Sequence, residues 1–481
     1  TEYHVSFFDD SGFVRKRCRL CGTFFWTQRR DQDTCAEAPC REYTFIGRPP
    51  TSRSYTLNEM REAFLGFFEN RGHTRIRPYP VVARWREDLY VTIASIAAFQ
   101  PFVTDGTIPP PANPLVISQP CLRFVDIDNV GLTAGRHLTI FEMGGHHAFN
   151  YPTEQVYWKD ETVRMHHEFV TGALGVPSEA VTYKEGVWSG GGNAGPDLEG
   201  IVGGLEVSTL VFMQFKVVNG TLVPMPIRVV DTGYGMERYA WLSQGTPTGF
   251  QAVYGSLIEE VLKMAGVAAV DGRLLAESAR LSALMSVETV SDRMVLRGRV
   301  ADRLGLEVNE LDRALQPLES VYGALDHTKA LAFMLSESVV PSNVGVGYLT
   351  RALARRTMRL LRLLGIEGRL AEIVDLQIGF WSRDFPQLAE MRGEILEAVG
   401  VEQKKYRSTL QRGAGLVRST LNELTSRGLS TMPVQTLIEL YDSQGMPPEI
   451  VKELAEKTGF VVTVPDNFYS MVTGRHVSAP A

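Results

Sequence analysis

Cysteine is scarce in this chain, with five residues in 481 and an odd count, which excludes the disulfide frameworks that hold small secreted domains together. Positive charge is in deficit as well. Fifty-five acidic side chains outnumber 49 basic ones, for a formal charge of −6, so the chain does not bind a polyanion by bulk charge and any such site must be local. No stretch reaches the roughly 18 uncharged apolar residues that cross a bilayer. The first residues, Thr1-Glu2-Tyr3-His4, lack the basic-then-apolar order of a secretory signal, and the expectation is a cytoplasmic protein with no membrane partner. Internal repeats and low-complexity tracts are missing too. What is present is 44% hydrophobic and 22% charged, enough apolar material for roughly two to four packed domains.

Four of the cysteines, Cys18, Cys21, Cys35 and Cys40, form a C-x2-C-x13-C-x4-C cluster, and Cys121 stands apart. Four thiolates so grouped suit a tetrahedral Zn2+ that would stabilise a module with little core; free thiols are the alternative. Residues 1–54 read as that module. Residues 55–247 open with a helix over 57–71, where Met60, Phe64, Leu65, Phe67 and Phe68 recur at helical spacing, and continue into a strand over 74–82. The texture then becomes glycine-rich, with strand-like runs at 138–143, 209–218 and 221–230. Residues 248–481 change again: 3.6-residue periodicity at 251–265, 273–286, 306–321, 325–338, 347–364, 384–427 and 447–458 predicts a mostly helical half.

Three groups of residues could carry chemistry. Asp231-Thr232-Gly233-Tyr234-Gly235-Met236-Glu237-Arg238 reads as a strand running through two glycines into a helix, where a ligand can approach the backbone and an arginine in the first turn can meet a phosphate. Arg123, in Gln119-Pro120-Cys121-Leu122-Arg123, and Arg136-His137, ahead of Phe141, lie on two strands joined by the acidic loop Asp126 to Gly131. They would turn cations and one flat ring toward a single ligand. Arg351, Arg355, Arg359 and Arg362 fall on one helical face with Arg356 beside them, and residues 340–370 hold six arginines against one glutamate, a pattern that suits a phosphate backbone. His146 and His147 are adjacent and face opposite ways on a strand, so they make a poor chelate.

Taken together, the second and first groups resemble motifs 2 and 3 of class II aminoacyl-tRNA synthetases, with 57–80 as a degenerate motif 1. The blocks SQPCLRFVDIDNVG, RHLTIFEMGGHHAFNYP, YWKDETV, VWSGGGNAGPDLE, LVFMQF, VVDTGYGMER, DHTKALAFMLSESVVPSNVGVGYLTR and ELYDSQGMPPE narrow the resemblance to the alanyl-tRNA synthetase family in its archaeal form. That family also carries a cysteine-containing N-terminal module. The resemblance implies an α+β fold: an antiparallel class II sheet flanked by helices, then a mostly helical tRNA-recognition domain. It implies ATP with Mg2+, alanine and tRNA-Ala as substrates and partners. By motif position, Arg123 holds the α-phosphate and the substrate carboxylate, Arg238 the γ-phosphate, Arg136 or His137 the outer phosphates, and Phe141 the adenine, with Glu237 beside them. Asp231 faces the α-ammonium group, Trp188 the carboxylate, and Thr209, Val211 and Gly233 the side chain. Asn343 and Asp442 would read the acceptor-stem G·U pair, and Arg351, Arg355, Arg359 and Arg362 would meet the RNA backbone.

The chain departs from the family pattern at Val346 and Lys329, and its nine histidines contain no H-x3-H pair of the kind the family's editing domain uses. The expectation is therefore a chain without the editing and C-terminal domains, either cut down or a natural short paralogue, and a monomer. Two other readings are a paralogue that activates a small amino acid for another acceptor, and a tRNA-binding paralogue without catalysis.

Overall fold

The computed structural model describes residues 2–125, 127, 129–284, 293–456, 458–465, 468, 471 and 472. Its centre is a nine-stranded sheet in the order β1-β2-β6-β7-β8-β9-β5-β4-β3. The strands are β1 (Val14–Arg17), β2 (Phe24–Thr27), β3 (Thr74–Arg75), β4 (Leu115–Leu122), β5 (Ile140–Asn150), β6 (Val181–Gly190), β7 (Asn193–Val202), β8 (Leu205–Val218) and β9 (Thr221–Gly235). Every neighbouring pair is antiparallel except β3 with β4 at one edge. The antiparallel class II-type sheet with a helical second half is thus present, with one parallel pair added.

The middle of the sheet is a run of hairpins whose turns are encoded locally. Gly191-Gly192, Gly203-Gly204 and Asn219-Gly220 all have positive φ, the conformation that two-residue hairpin turns of right-handed twist require. These turns fix the register, pairing Thr209 with Gly233 and Val211 with Asp231 across β8 and β9. Because side chains alternate along a strand, Asp231, Gly233 and Gly235 face one side while Thr232 and Tyr234 face the other. The second side is covered by the helix Leu57–Glu69, started by a Thr56–Glu59 capping box. Its Phe64 ring lies 4.8 Å from Tyr234, and Phe68 stacks on His146 at 4.2 Å.

Several elements differ from the sequence expectation. The strand predicted over 74–82 shrinks to Thr74–Arg75, since Pro78 and Pro80 supply no N–H to a ladder. The periodic segments 306–321 and 325–338 are one helix, Val308–Ser336; Gly323 between them lets Leu360 approach so closely that a Cβ there would stand 3.0 Å from its Cδ1. Helices Leu370–Trp381 and Val434–Gln444, and strands β6 and β7, were not anticipated. The acidic loop between β4 and β5 includes Asp126 and Asp128, which lie outside the described residues, as do residues 285–286 of the segment predicted at 273–286.

Residues 1–54 are stitched into this sheet, because β2 pairs with β6 at Phe25↔Lys184 and Trp26↔Tyr183. The helical half is tied to the sheet as well. Asp326 accepts the Thr139 backbone N–H at 2.8 Å, and Glu337 accepts those of Val81 and Val82 at 2.7 and 2.9 Å. Among the described residues, no helix is long and apolar enough to cross a membrane.

Candidate active site

The open face of the sheet carries a cavity of about 580 Å³ whose walls include Arg123, Arg136, His137, Phe141, Trp188, Thr209, Val211, Asp231, Gly233, Glu237 and Arg238. This is the size range of small-molecule sites, roughly 300–1,000 Å³. Residues singled out in five separate stretches of sequence therefore meet around one space. The β4–β5 hairpin pairs Cys121 with Phe141, so Arg123, one residue beyond β4, comes to the Phe141 ring with its guanidinium carbon 5.1 Å from the centroid. Arg123 Nε donates to the Ile93 carbonyl at 3.0 Å, and the rest of its fork is exposed to the cavity. Arg136 and His137 follow on the returning arm, where Arg136 Nη1 reaches the Ala283 carbonyl at 3.5 Å.

Arg238 sits in the first turn of the helix Met236–Gln244, as the strand-to-helix reading requires. Four of its five N–H groups are engaged: Nε and Nη2 donate to the Arg136 carbonyl at 3.1 and 2.9 Å, and Nη1 to the Glu206 carbonyl and carboxylate at 2.9 and 2.8 Å. Glu237 buries its carboxylate beneath the sheet, accepting the Glu142 N–H at 3.0 and 2.9 Å, and burial pushes its pKa up to about 7. Lys329 Nζ lies 3.8 Å from Glu237 and 3.8 Å above the Trp381 ring. Behind them Arg61 forks onto Glu142 at 2.5 and 2.6 Å, a buried pair that fixes β5 to the covering helix.

The other end of the cavity is acidic. Asp231 is 4% exposed, and burial raises its pKa to about 7. Its ionisable partner among the described residues is His147, whose Nδ1 lies 3.5 Å away; burial depresses that imidazole to about 3, so it is neutral and offers Asp231 no positive charge. His147 Nε2 is held by Ser95 Oγ at 3.1 Å. His146 turns to the opposite side, between Tyr157 at 2.7 Å and Tyr234 at 3.2 Å. Across from Asp231 stand Asp197, raised by burial to about 7, and Glu199, raised by burial to about 8 beside the Lys184–Glu37 pair.

Sequence reasoning did not single out Glu206, Asp197 or Glu199, and it read His147 only as a structural or near-substrate residue. Glu206 binds Arg238 and also accepts the Thr209 hydroxyl at 2.8 Å, so Thr209 is turned toward the acidic wall. The signal for these carboxylates was their alternation along β7 and the start of β8, where Gly195, Gly200, Gly203 and Gly204 interrupt the pattern.

Away from the cavity, Asn343 is exposed in the loop before the helix Gly345–Leu363, and Asp442 is half-buried within Val434–Gln444. Arg351 and Arg355 are 14% and 13% exposed in their side chains and converge on Glu402 at 3.3 and 2.9 Å. Arg359 is half-buried, and Arg362, more exposed, lies 3.9 Å from Glu367.

At the far edge of the sheet, one sulfur from each of Cys18, Cys21, Cys35 and Cys40 lies within 4.8 Å of every other. The Cys21–Cys35 separation is 3.9 Å, close to the sulfur–sulfur edge of about 3.8 Å that a tetrahedron with Zn–S bonds of about 2.3 Å demands. Burial pushes Cys40 up to about 12 and Cys35 higher, so as free thiols these would be neutral. Burial opposes ionisation of Cys18 too, yet hydrogen bonds from the Cys21, Cys35 and Leu20 backbones bring it down to about 6. Backbone donors aimed at a sulfur are what a metal thiolate needs, and the cluster is compatible with a structural zinc.

A basic rim over a flat ring thus faces a buried carboxylate that has no cationic partner among the described residues. The family profile described as tRNA synthetases class II (A) matches residues 59–481. The alanine--tRNA ligase of Pyrococcus abyssi is 50% identical over 481 residues, covering 97% of this chain and 52% of its own length. That of Korarchaeum cryptofilum is 52% identical over 474 residues, covering 98% and 52%, and that of Metallosphaera sedula 48% over 479, covering 100% and 52%. This chain spans about half the length of the curated relatives it matches. It belongs to the class II (A) tRNA synthetase family.

Proposed function

We propose that the chain activates L-alanine with ATP and transfers it to the 3′ end of tRNA-Ala. The observation that carries this reading is Asp231: a buried carboxylate with no cationic partner among the described residues, in a cavity rimmed by Arg123, Arg136 and Arg238. An α-ammonium group supplies the missing charge, and Val211, Gly233, Met143 and Trp188 leave little room beside it for a side chain.

With the amine at Asp231 and MgATP laid across Phe141, Arg123 stands where it can neutralise both the amino-acid carboxylate and the α-phosphate that this carboxylate attacks. The oxygen–phosphorus bond of the adenylate forms as pyrophosphate leaves toward Arg136, His137 and Arg238. A terminal hydroxyl of the tRNA then attacks the mixed anhydride and AMP departs. No protein nucleophile is required; positioning and charge neutralisation do the chemistry. Glu237 acts at one remove, by holding β5 and hence Phe141. A pocket defined by small apolar walls separates alanine from glycine or serine by only about 10- to 200-fold.

In the helical half, Asn343 and Asp442 are the residues we assign to the G·U pair of the acceptor stem, since short polar side chains read base-pair edges. A structural Zn2+ on the four cysteines and a monomeric state complete the proposal. Arg123→Ala should abolish alanine-dependent ATP–pyrophosphate exchange, whereas Asn343→Ala should spare exchange and damage aminoacylation. Exchange that survives Arg123→Ala would overturn the assignment of the cavity.

A further inference from the structure

The arginines of the helix Gly345–Leu363 looked from their spacing like a face for RNA phosphates, but the structure commits several of them elsewhere. Arg351 donates to Glu402 at 3.3 Å, to Asn343 Oδ1 and to the Pro341 carbonyl at 3.0 Å. Arg355 donates to Glu402 at 2.9 Å and to the Gly445 carbonyl at 3.4 Å, and Arg356 to His327 at 2.9 Å. Glu402 is 1% exposed. A desolvated pair of this kind cannot lend its cations to a ligand without stranding the carboxylate.

The same Glu402 belongs to the helix Arg392–Ser426, whose inward stripe comprises Ile395, Val399, Glu402, Tyr406, Gly413, Val417, Leu421 and Leu424. At 3.6 residues per turn, Lys404, Lys405, Arg407, Arg412 and Arg418 fall on the opposite side, and all five are exposed. Residues 403–422 contain no Asp or Glu, and among the described residues no carboxylate pairs with any of the five. Soluble helices ordinarily intersperse the two signs, and Lys404 and Arg407, one turn apart, repel each other until an anion lies between them. In a chain of net charge −6, a one-sign face of this length is a local polyanion site.

We propose that the phosphate backbone of the tRNA lies along this outward face, on Lys404, Lys405, Arg407, Arg412 and Arg418, while Arg351 and Arg355 serve to hold the face in place. The proposal rests on the reading of the helical half as RNA-binding. It also explains the Glu402 bridge. Through Arg351 the bridge ties the start of the basic face to the Asn343 loop, and through Arg355 to the turn at Gly445 that follows Asp442. The cations that would attract the backbone are thereby set at a fixed distance from the residues assigned to the base pair. From 404 to 418 the helix advances about 21 Å, long enough to follow several phosphates.

The test uses the full chain with tRNA-Ala transcript. The triple variant Lys404→Glu, Arg407→Glu, Arg418→Glu should keep alanine-dependent ATP–pyrophosphate exchange and kcat at saturating tRNA, while KM for tRNA rises about tenfold or more. Its dependence of log KM on log salt should flatten by about 0.7–0.9 per phosphate contact removed. Glu397→Lys, an exposed site two turns before Lys404 on the same face, should lower KM for tRNA. A triple variant with wild-type KM and wild-type salt slope overturns the proposal. A wild-type chain that exchanges pyrophosphate but binds no tRNA overturns the RNA-binding reading and the proposal with it. If the charge reversals cost the fold, the corresponding glutamine variants are judged by the same KM and slope.

Discussion

Replacing Asp231 with asparagine should stabilise the folded chain in mild alkali and, in the same molecule, remove amino-acid activation. Burial raises the Asp231 carboxyl from 3.8 to about 7, a difference worth about 4 kcal/mol between the two ionisation states. The native state therefore keeps a proton that the unfolded chain releases between about pH 4 and 7. Stability falls as pH rises through that window, and the full cost is carried above it. Asparagine has no proton to lose, so the stability of Asp231→Asn relative to wild type should grow by about 2–3 kcal/mol between pH 5 and pH 8. The comparison is made as a difference because His73, His146, His147 and His166, held neutral by burial, titrate in the opposite sense and pull the absolute curve the other way. Urea midpoints of both proteins at the two pH values give the number. In the exchange assay, loss of a buried charge facing an ammonium group costs about 2–5 kcal/mol, which lowers kcat/KM for alanine by about 30- to 5,000-fold. An asparagine variant that is less stable than wild type at pH 8, or one with an unchanged KM for alanine, would refute the argument that this carboxylate is stored without a cation for the substrate's amine.

Two further outcomes follow from buried groups elsewhere. Elemental analysis should find about one zinc per chain; Cys35→Ser should lose it and lower the first unfolding transition by about 5 °C or more, at roughly 2–4 °C per kcal/mol. A full zinc complement in that variant would place the metal elsewhere. Glu402→Ala, which strands Arg351 and Arg355 against a buried surface, should destabilise the helical half by about 3–5 kcal/mol, read from the urea midpoint; a wild-type midpoint would mean that the bridge contributes little.

What could be read without the fold was whatever is set by neighbours in the chain. The strand-turn-helix from Asp231 to Arg238 is local, since period-2 alternation, two glycines and an acidic first turn lie within eight residues. The hairpin that brings Arg123 to Phe141 follows from two apolar runs and the loop between them. The cysteine cluster and the helical texture of the second half are likewise local patterns. Strands β6 and β7 were not legible, because glycines at 186, 190, 195 and 200 break the alternation by which a strand is recognised. With them went Asp197 and Glu199.

Pairing partners are a property of the tertiary structure alone. Periodicity showed that Arg351 and Arg355 share a helical face, but not that a glutamate 51 and 47 residues further along the chain would meet them and turn an apparent ligand surface into an internal tie. Composition could locate Asp231, and only the packing of His147, Ser95 and the surrounding strands made it a buried carboxylate with a raised pKa. Residue types and short-range spacing are written in the chain; the dielectric around a charge, and whether its counter-ion comes from the protein or from a substrate, depend on which distant segments the fold lays beside it.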